Sequence, residues 1–382
     1  MDSQTSKNRE LGAAPALVQA FQNSGNWKDW KWQIRNRITS LDALSRLPNP
    51  GPGTREGLAN VLRRYRYAVT PYYLSLIDWT DPADPIMKQC LPDTREVTFR
   101  LPGSEDDPLK ENEHMPVPGL IHRYRDRALA MVTTTCAVYC RHCNRKRQWG
   151  LRHAWAHSRS VARMVDYIQK TSCIREVIIS GGDPLTMHPD KLEGILAAFQ
   201  AVPHVEVIRL GTRIPVVLPM RVTDDLCGML ARHRPLWINT HFNHPREITA
   251  EAAAACDRLL RAGIPVSNQC VLLKGINDSA ETICYLCRRL QSIMVRPYYL
   301  FHCDSVRGTD HFRTDLRKGI EITRSLWGTT GGLSIPNFVV DLPEGGGKAP
   351  LMPSYLLDID GEEAIFRTFE GKIVRYPCPE GA

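Results

Sequence analysis

The sequence predicts an α/β protein, a partial (β/α)6 TIM-like barrel with an N-terminal helical extension and a C-terminal β and loop extension. Its central evidence is a rhythm that starts near residue 128, where short β-prone apolar runs alternate with longer amphipathic ones. The runs are ALAMVTTT (128–135), EVIIS (176–180), VEVIRLG (205–211), PLWINTHF (235–242), PVSNQCVLL (265–273) and MVRPYYLF (294–301). Helical patterns at 161–171, 190–200, 224–233, 247–263 and 279–293 lie between them. Six strand–helix units in a row imply a parallel sheet with helices on its outer faces, in barrel-like or open form. In both forms ligands gather at the C-terminal ends of the strands. A second observation is the interrupted helical patterning of residues 1–120, and a third is the strand, glycine loop and strands of 334–382. The chain therefore divides into 1–120, 121–333 and 334–382.

In the first region NWKDWKWQIRNRI (26–38) repeats Trp27, Trp30, Ile34 and Ile38 at helical spacing. LPNPGPGT (47–54) breaks the chain, and DWTDPADPIMKQCLPD (78–93) is too rich in proline for regular structure. SEDDPLKENEHMPVPG (104–119) reads as a charged connector. Over all 382 residues, 43% apolar and 24% charged content are ordinary for a soluble globular protein. No apolar run is long enough to span a membrane, and MDSQTSKNRELG has no apolar core of the export kind. A cytoplasmic protein is expected. In that reducing compartment the clustered members of its twelve cysteines are metal ligands rather than disulfides. The net charge of +8 does not establish nucleic-acid binding, and none is expected.

The stretch TTTCAVYCRHCNRKRQ (133–148) follows the first strand and places Cys136, Cys140 and Cys143 in a Cys-x3-Cys-x2-Cys spacing. Cysteine thiolates hold iron–sulfur clusters, and three of them leave one iron of a four-iron cluster without a protein ligand. An open position is what a site needs when a substrate or cofactor must bind the metal itself. The blander alternative is reduced cysteines, or a zinc site completed by His142. Placement at a strand end, before the basic run Arg141, Arg145, Lys146 and Arg147, favours the cluster. The second strand ends in SGGDPL (180–185), whose glycines let backbone approach a ligand. DLPEGGGKAP (341–350) fails as a phosphate-binding loop, because Leu342 stands where the first glycine belongs and Ala349 where the hydroxyl belongs. A lysine on a glycine turn can instead form and release a Schiff base with pyridoxal phosphate (PLP).

Cys-x3-Cys-x2-Cys after the first strand of a (βα)6 series resembles the radical S-adenosylmethionine (SAM) superfamily. The resemblance implies a barrel of the radical SAM type and a [4Fe–4S] cluster on Cys136, Cys140 and Cys143, with SAM as the missing fourth ligand. It also implies that Ser180, Gly181, Gly182 and Asp183 line the SAM site, with Arg213 and His241 as further candidates. FVVD-x-P-x-GGGK-x-P at the end of such a core resembles the lysine 2,3-aminomutase family. So do WKDWKWQIRNRI, VPGLIHRYRDRALA, GTRIPVVLP, NTHFNHPREIT, NQCVLLKGIND and RPYYLFHCD, in order along nearly the whole chain. That likeness implies that Lys348 bonds PLP, that Arg123, Tyr124 and Arg127 hold its phosphate, and that Gln269 stands near the cofactors. Arg145 is implied to hold the substrate carboxylate, and Asp304 and Asp341 the distal ammonium of lysine. An electron donor such as flavodoxin or ferredoxin, and a homo-oligomer, are implied as well.

The chain departs from that family in two places. Clostridial-type members carry a C-terminal cysteine cluster that binds structural zinc across a subunit contact. Here Cys378 is the only cysteine of the tail and Ser279 stands at the matching loop position, so no structural zinc is expected. Phe301 and His302 replace an expected Tyr–Gln pair beside Asp304. Arginine is therefore the alternative substrate, and an RNA- or protein-modifying radical SAM enzyme is the alternative class.

Overall fold

Residues 15–149 and 158–378 are described by the computed structural model; the N-terminal segment read for an export signal lies outside the described residues, as do 379–382. Strands β1 (Leu120–Tyr124), β2 (Arg127–Thr133), β3 (Glu176–Gly181), β4 (Val207–Gly211), β5 (Leu236–Thr240), β6 (Val266–Leu272), β7 (Arg296–His302), β8 (Asn337–Leu342) and β9 (Gly347–Pro350) form one sheet in sequence order. Each pair from β2 to β8 is parallel, while β1 and β9 add antiparallel edges. The mixed sheet nearly closes into a barrel. The predicted α/β class and six strands are found, and β8 adds a seventh parallel strand just beyond residue 334.

Alternation explains the wall. Val177 and Ile179, or Ile208 and Leu210, are buried, while the residues between them point to the barrel interior. Helices Ser158–Gln169, Pro189–Gln200, Asp224–Ala231, Ala250–Arg261 and Ala280–Ser292 correspond to the predicted amphipathic runs. Thr223, Thr249 and Ser279 cap three of them through their hydroxyls, which satisfies otherwise orphaned N–H groups. A further helix, Leu316–Leu326, precedes β8. A Cβ built on Gly319 would lie 2.1 Å from the Phe338 ring, so the glycine is a notch that seats β8 against this helix.

The N-terminal region is built of short helices, and its core is continuous with the barrel: Ile38, Tyr73, Ile86 and Cys90 share a cluster with Val132 and Ile214. The helix expected across 26–38 is shorter, Trp30–Arg35, because Asp29 caps it by accepting from Lys31 N. The proline-rich stretch contains a helix after all, Pro85–Cys90. Its proline sits in the first turn, where a missing N–H costs nothing, and Asp84 accepts from Ile86 and Met87. Beyond β9, strands β10 (Leu356–Asp360), β11 (Glu363–Arg367) and β12 (Ile373–Pro377) form a small antiparallel sheet. Among the described residues no helix is long and apolar enough to cross a membrane.

Candidate functional site

A cavity of about 820 Å³ runs down the barrel from the C-terminal strand ends to Arg127, Glu176 and Arg209. Each residue that the resemblance assigns to cluster, cofactor or substrate lines it. Cys136, Cys140, Cys143 and Arg145 come from the loop after β2, Ser180 to Asp183 from β3, Arg213 from β4 and His241 from β5. Gln269 comes from β6, Asp304 from β7, and Asp341 with Lys348 from β8 and β9, facing Arg123, Tyr124 and Arg127 of β1 and β2.

The cysteine loop is held from outside. Arg37 donates to Cys136 O (2.6 Å), Tyr139 N to Ala68 O (3.0 Å) and Arg141 N to Gln89 O (2.9 Å), all from N-terminal segments. Beneath it Glu96 accepts from Arg141 Nε (2.8 Å) and Lys146 Nζ (2.6 Å), and all three side chains are buried. Burial alone would raise Glu96, but Arg141 and Lys146 hold its carboxyl down to about 2. Burial pushes the Cys143 thiol up to about 11 and the Cys136 thiol well above its usual range, so a metal's charge is what would keep them as thiolates. Among the described residues no three His, Cys, Asp or Glu side chains are grouped to share one ion.

The paired glycines work differently from the sequence argument. Gly181 has φ +117°, and a Cβ there would lie 2.3 Å from Thr133 O; one on Gly182 would lie 2.4 Å from Thr135 O. They let β3 press against the backbone leading to the cysteines. Asp183 is also committed within the protein: it accepts from Thr212 Oγ1 (2.7 Å), Arg213 N (2.7 Å) and Leu185 N (3.1 Å). Burial lifts its carboxyl to about 6. His241 Nδ1 lies 2.9 Å from Gln269 O. A carbonyl only accepts, so Nδ1 carries the proton and Nε2 is left as an acceptor. Burial, then Arg213, lowers this imidazole to about 4 and keeps it neutral.

At the last strands of the sheet β8 and β9 pair Asp341 with Lys348, and Lys348 Nζ donates to both carboxylate oxygens (2.8 and 3.1 Å). Gly345 (φ +76°) and Gly347 (φ +89°) make the turn between these strands possible. Lys348 N donates to Tyr124 Oη (3.0 Å), and Nζ lies 5.1 Å from the Phe301 ring centre. Asp304 accepts from Asn144 Nδ2 (3.1 Å); burial first, then Asp341, lifts its carboxyl to about 7. Arg127 stacks on Tyr124 (3.9 Å), whereas Arg123 Nε and Nη2 are buried without a partner. Such orphaned guanidinium donors, beside a glycine turn, fit an anion such as the phosphate of PLP. His302 turns its ring toward Phe338, so Phe301 is the one of the two departures that meets Lys348.

Several residues escaped the sequence reading. Glu111, in the supposed connector, grips Arg145 (Nε to Oε1, 2.9 Å) and Arg147 (2.6 Å). Asn144 holds Asp304, and Tyr73, Gln89 and Glu247 surround Arg213. Glu111 carried one local hint, an acidic side chain among prolines near a basic loop, but no spacing links 111 to 145. Cys284 and Cys287 are buried on the packed face of their helix. The twelve cysteines are all free thiols.

Comparison with known proteins places this geometry. The radical SAM superfamily model matches residues 131–285, and the lysine-2,3-aminomutase model matches 323–382. The L-lysine 2,3-aminomutase of Clostridium subterminale is 45% identical over 357 residues, covering 94% of this chain and 86% of its own. That of Acetoanaerobium sticklandii is 46% identical over 355 residues, covering 93% and 86%. A glutamate 2,3-aminomutase of Clostridioides difficile is 42% identical over 351 residues, covering 92% and 82%.

Proposed function

Because the chain belongs to the lysine 2,3-aminomutase family, a radical SAM family of isomerases that carries a [4Fe–4S] cluster and SAM, we propose that it converts L-lysine to L-β-lysine with PLP as a further cofactor. One observation carries this reading: a single cavity is lined by the three cysteines and by Lys348, Asp341 and Asp304. When bound, the cluster and SAM supply one-electron chemistry, and PLP supplies the carbonyl group that takes up the substrate nitrogen.

The chain's own residues do the rest. Cys136, Cys140 and Cys143 would hold the cluster, Ser180 and Gly181 would border SAM, and His241 Nε2 offers it an acceptor. Lys348 would bond PLP, with Arg123 on its phosphate and Arg127 stacked on Tyr124 beside it. Arg145, fixed through Nε by Glu111, keeps its other edge for a bidentate grip on the substrate α-carboxylate. Asp304 and Asp341 would take the distal ammonium, a pairing that rejects glutamate, whose extra carboxylate would face two others. Leaving a buried charge unpaired costs several kcal/mol. The cavity walls align the substrate and exclude water. Their volume, about 820 Å³, suits an amino acid with its cofactors. An oxygen-sensitive cluster and free thiols belong in a reducing cytoplasm, with a flavodoxin- or ferredoxin-type electron donor.

The test is an anaerobic assay of the reconstituted enzyme with SAM, PLP and dithionite, with L-lysine, L-arginine and L-glutamate supplied in parallel. β-Lysine as the main product is expected. β-Arginine as the main product would overturn the substrate assignment while leaving the reaction type, and β-glutamate would refute the role of the aspartate pair.

A further inference from the structure

We propose that Arg213 and Glu247 are positioning residues that set the reduction potential of the cluster, through a buried charge pair that ends on the sulfur of Cys140. The inference rests on the cluster assignment above and goes beyond it, because it gives Arg213 a role other than lining the SAM site.

Arg213 has no free edge for a ligand. Nη1 lies 2.7 Å from Cys140 Sγ and Nε 3.2 Å from His241 O. Nη2 meets Glu247 Oε1 (2.6 Å), Gln89 Oε1 (2.6 Å) and Tyr73 Oη (3.0 Å). Glu247 is itself tied down: Oε1 also accepts from Tyr73 Oη (2.6 Å), and Oε2 accepts from Asn243 N (2.6 Å) and His244 N (2.9 Å). Arg213, Glu247, Tyr73 and Gln89 are all buried. The network thus joins the N-terminal helices to the ends of β4 and β5 and delivers one cationic donor to one cluster ligand.

The potential of an iron–sulfur cluster follows its charge, the hydrogen bonds to its sulfurs and its solvent exposure. Passing from [4Fe–4S]2+ to [4Fe–4S]+ adds one electron, taken from an external reductant, and leaves the site more negative by one charge. A guanidinium at Cys140 stabilises that reduced state more than the oxidised one. Glu247, directly behind the guanidinium, offsets part of this effect. Tyr73 and Gln89 are neutral and fix the geometry without adding charge.

Removing either charge should therefore move the potential in opposite directions, and damage to the fold would not. The measurement is a dithionite potentiometric titration of the reconstituted holoenzyme, read by the electron paramagnetic resonance signal of [4Fe–4S]+. Glu247→Gln is expected to shift the midpoint to more positive values and Arg213→Gln to more negative ones. Tyr73→Phe, which keeps both charges, should stay near wild type. Should Arg213→Gln fail to take up iron, the contrast between Glu247→Gln and Tyr73→Phe decides alone. Shifts of the same sign in both charge variants, or a Tyr73→Phe shift as large as that of Glu247→Gln, would overturn the proposal in favour of packing or solvent access. A wild-type protein that yields no [4Fe–4S]+ signal would instead bring down the cluster assignment itself.

Discussion

Beside the cysteines, Arg141, Lys146 and Arg213 are locked to buried carboxylates, with side chains at most 8% exposed; at the rim formed by β8 and β9 Lys348 is 32% exposed and its pair with Asp341 borders the cavity. Arg123 keeps two buried donors without partners there, and Asp304 sits near the midpoint of its titration at neutral pH. The difference matches what each rim is asked to hold. A resident cluster is served by a loop fixed before the group arrives. A lysine that must bond and release a cofactor is served by a partner it can give up. In the proposed function Asp341 then gains a second use, because a lysine withdrawn from it leaves a carboxylate for the substrate ammonium.

Substitutions at the two rims should separate activity from stability. Lys348→Ala is expected to have the largest effect on turnover, a loss of at least about 10³-fold, with the visible band of protein-bound PLP gone. Its denaturation midpoint should move less than that of a variant in the fully buried charge network, since Lys348 is 32% exposed. Glu96→Gln should do the reverse to the fold, lowering unfolding free energy by about 3–5 kcal/mol, because it strands Arg141 and Lys146 in the interior. The native Glu96 carboxyl is depressed from its ordinary 4.5 to about 2, so its stabilising effect is present above pH 4.5 and is lost as pH falls through about 2. Chemical denaturation of both variants checks this. A Lys348→Ala protein less stable than Glu96→Gln would break the contrast between the rims.

What could be read from the sequence was what local spacing carries. Cys136, Cys140 and Cys143 lie within one loop, Lys348 lies within one turn, and the strands announce themselves by runs of apolar residues. Residues that reach the site only through tertiary contact left no such trace: Glu96 meets Arg141 across 45 positions and Gln89 meets Arg213 across 124. The helix Leu316–Leu326 was missed because Gly319 interrupts its apolar pattern, yet that glycine is what admits Phe338. Asp183 and Arg213 line the cavity, but spacing could not show that their polar atoms are already bound by protein.

The finest comparison lies inside the cavity, between the two ends of the proposed substrate. Asp304 is raised to about 7 by burial and by Asp341, with Asn144 and Lys348 pulling it back. Below pH 7 it is neutral and a poor partner for an ammonium; above pH 7 it is a carboxylate. The KM for L-lysine should therefore fall as pH rises from 6 to 7, by at most about tenfold for one proton, and level off above 7.5. Arg145 stays charged throughout, so norleucine, which keeps the α-carboxylate but lacks the distal ammonium, should inhibit with little pH dependence over the same range. Burial holds His241 and His302 at about 4 and His142 well below its usual range, so none of these three cavity histidines supplies the effect. Asp183 at about 6 and Lys146 at about 8 titrate at the edges of the window, which makes Asp304→Asn the deciding control. In that variant the lysine KM should be raised and nearly flat with pH. A slope that survives Asp304→Asn would assign the proton to another group and leave Asp341 as the sole partner of the ammonium.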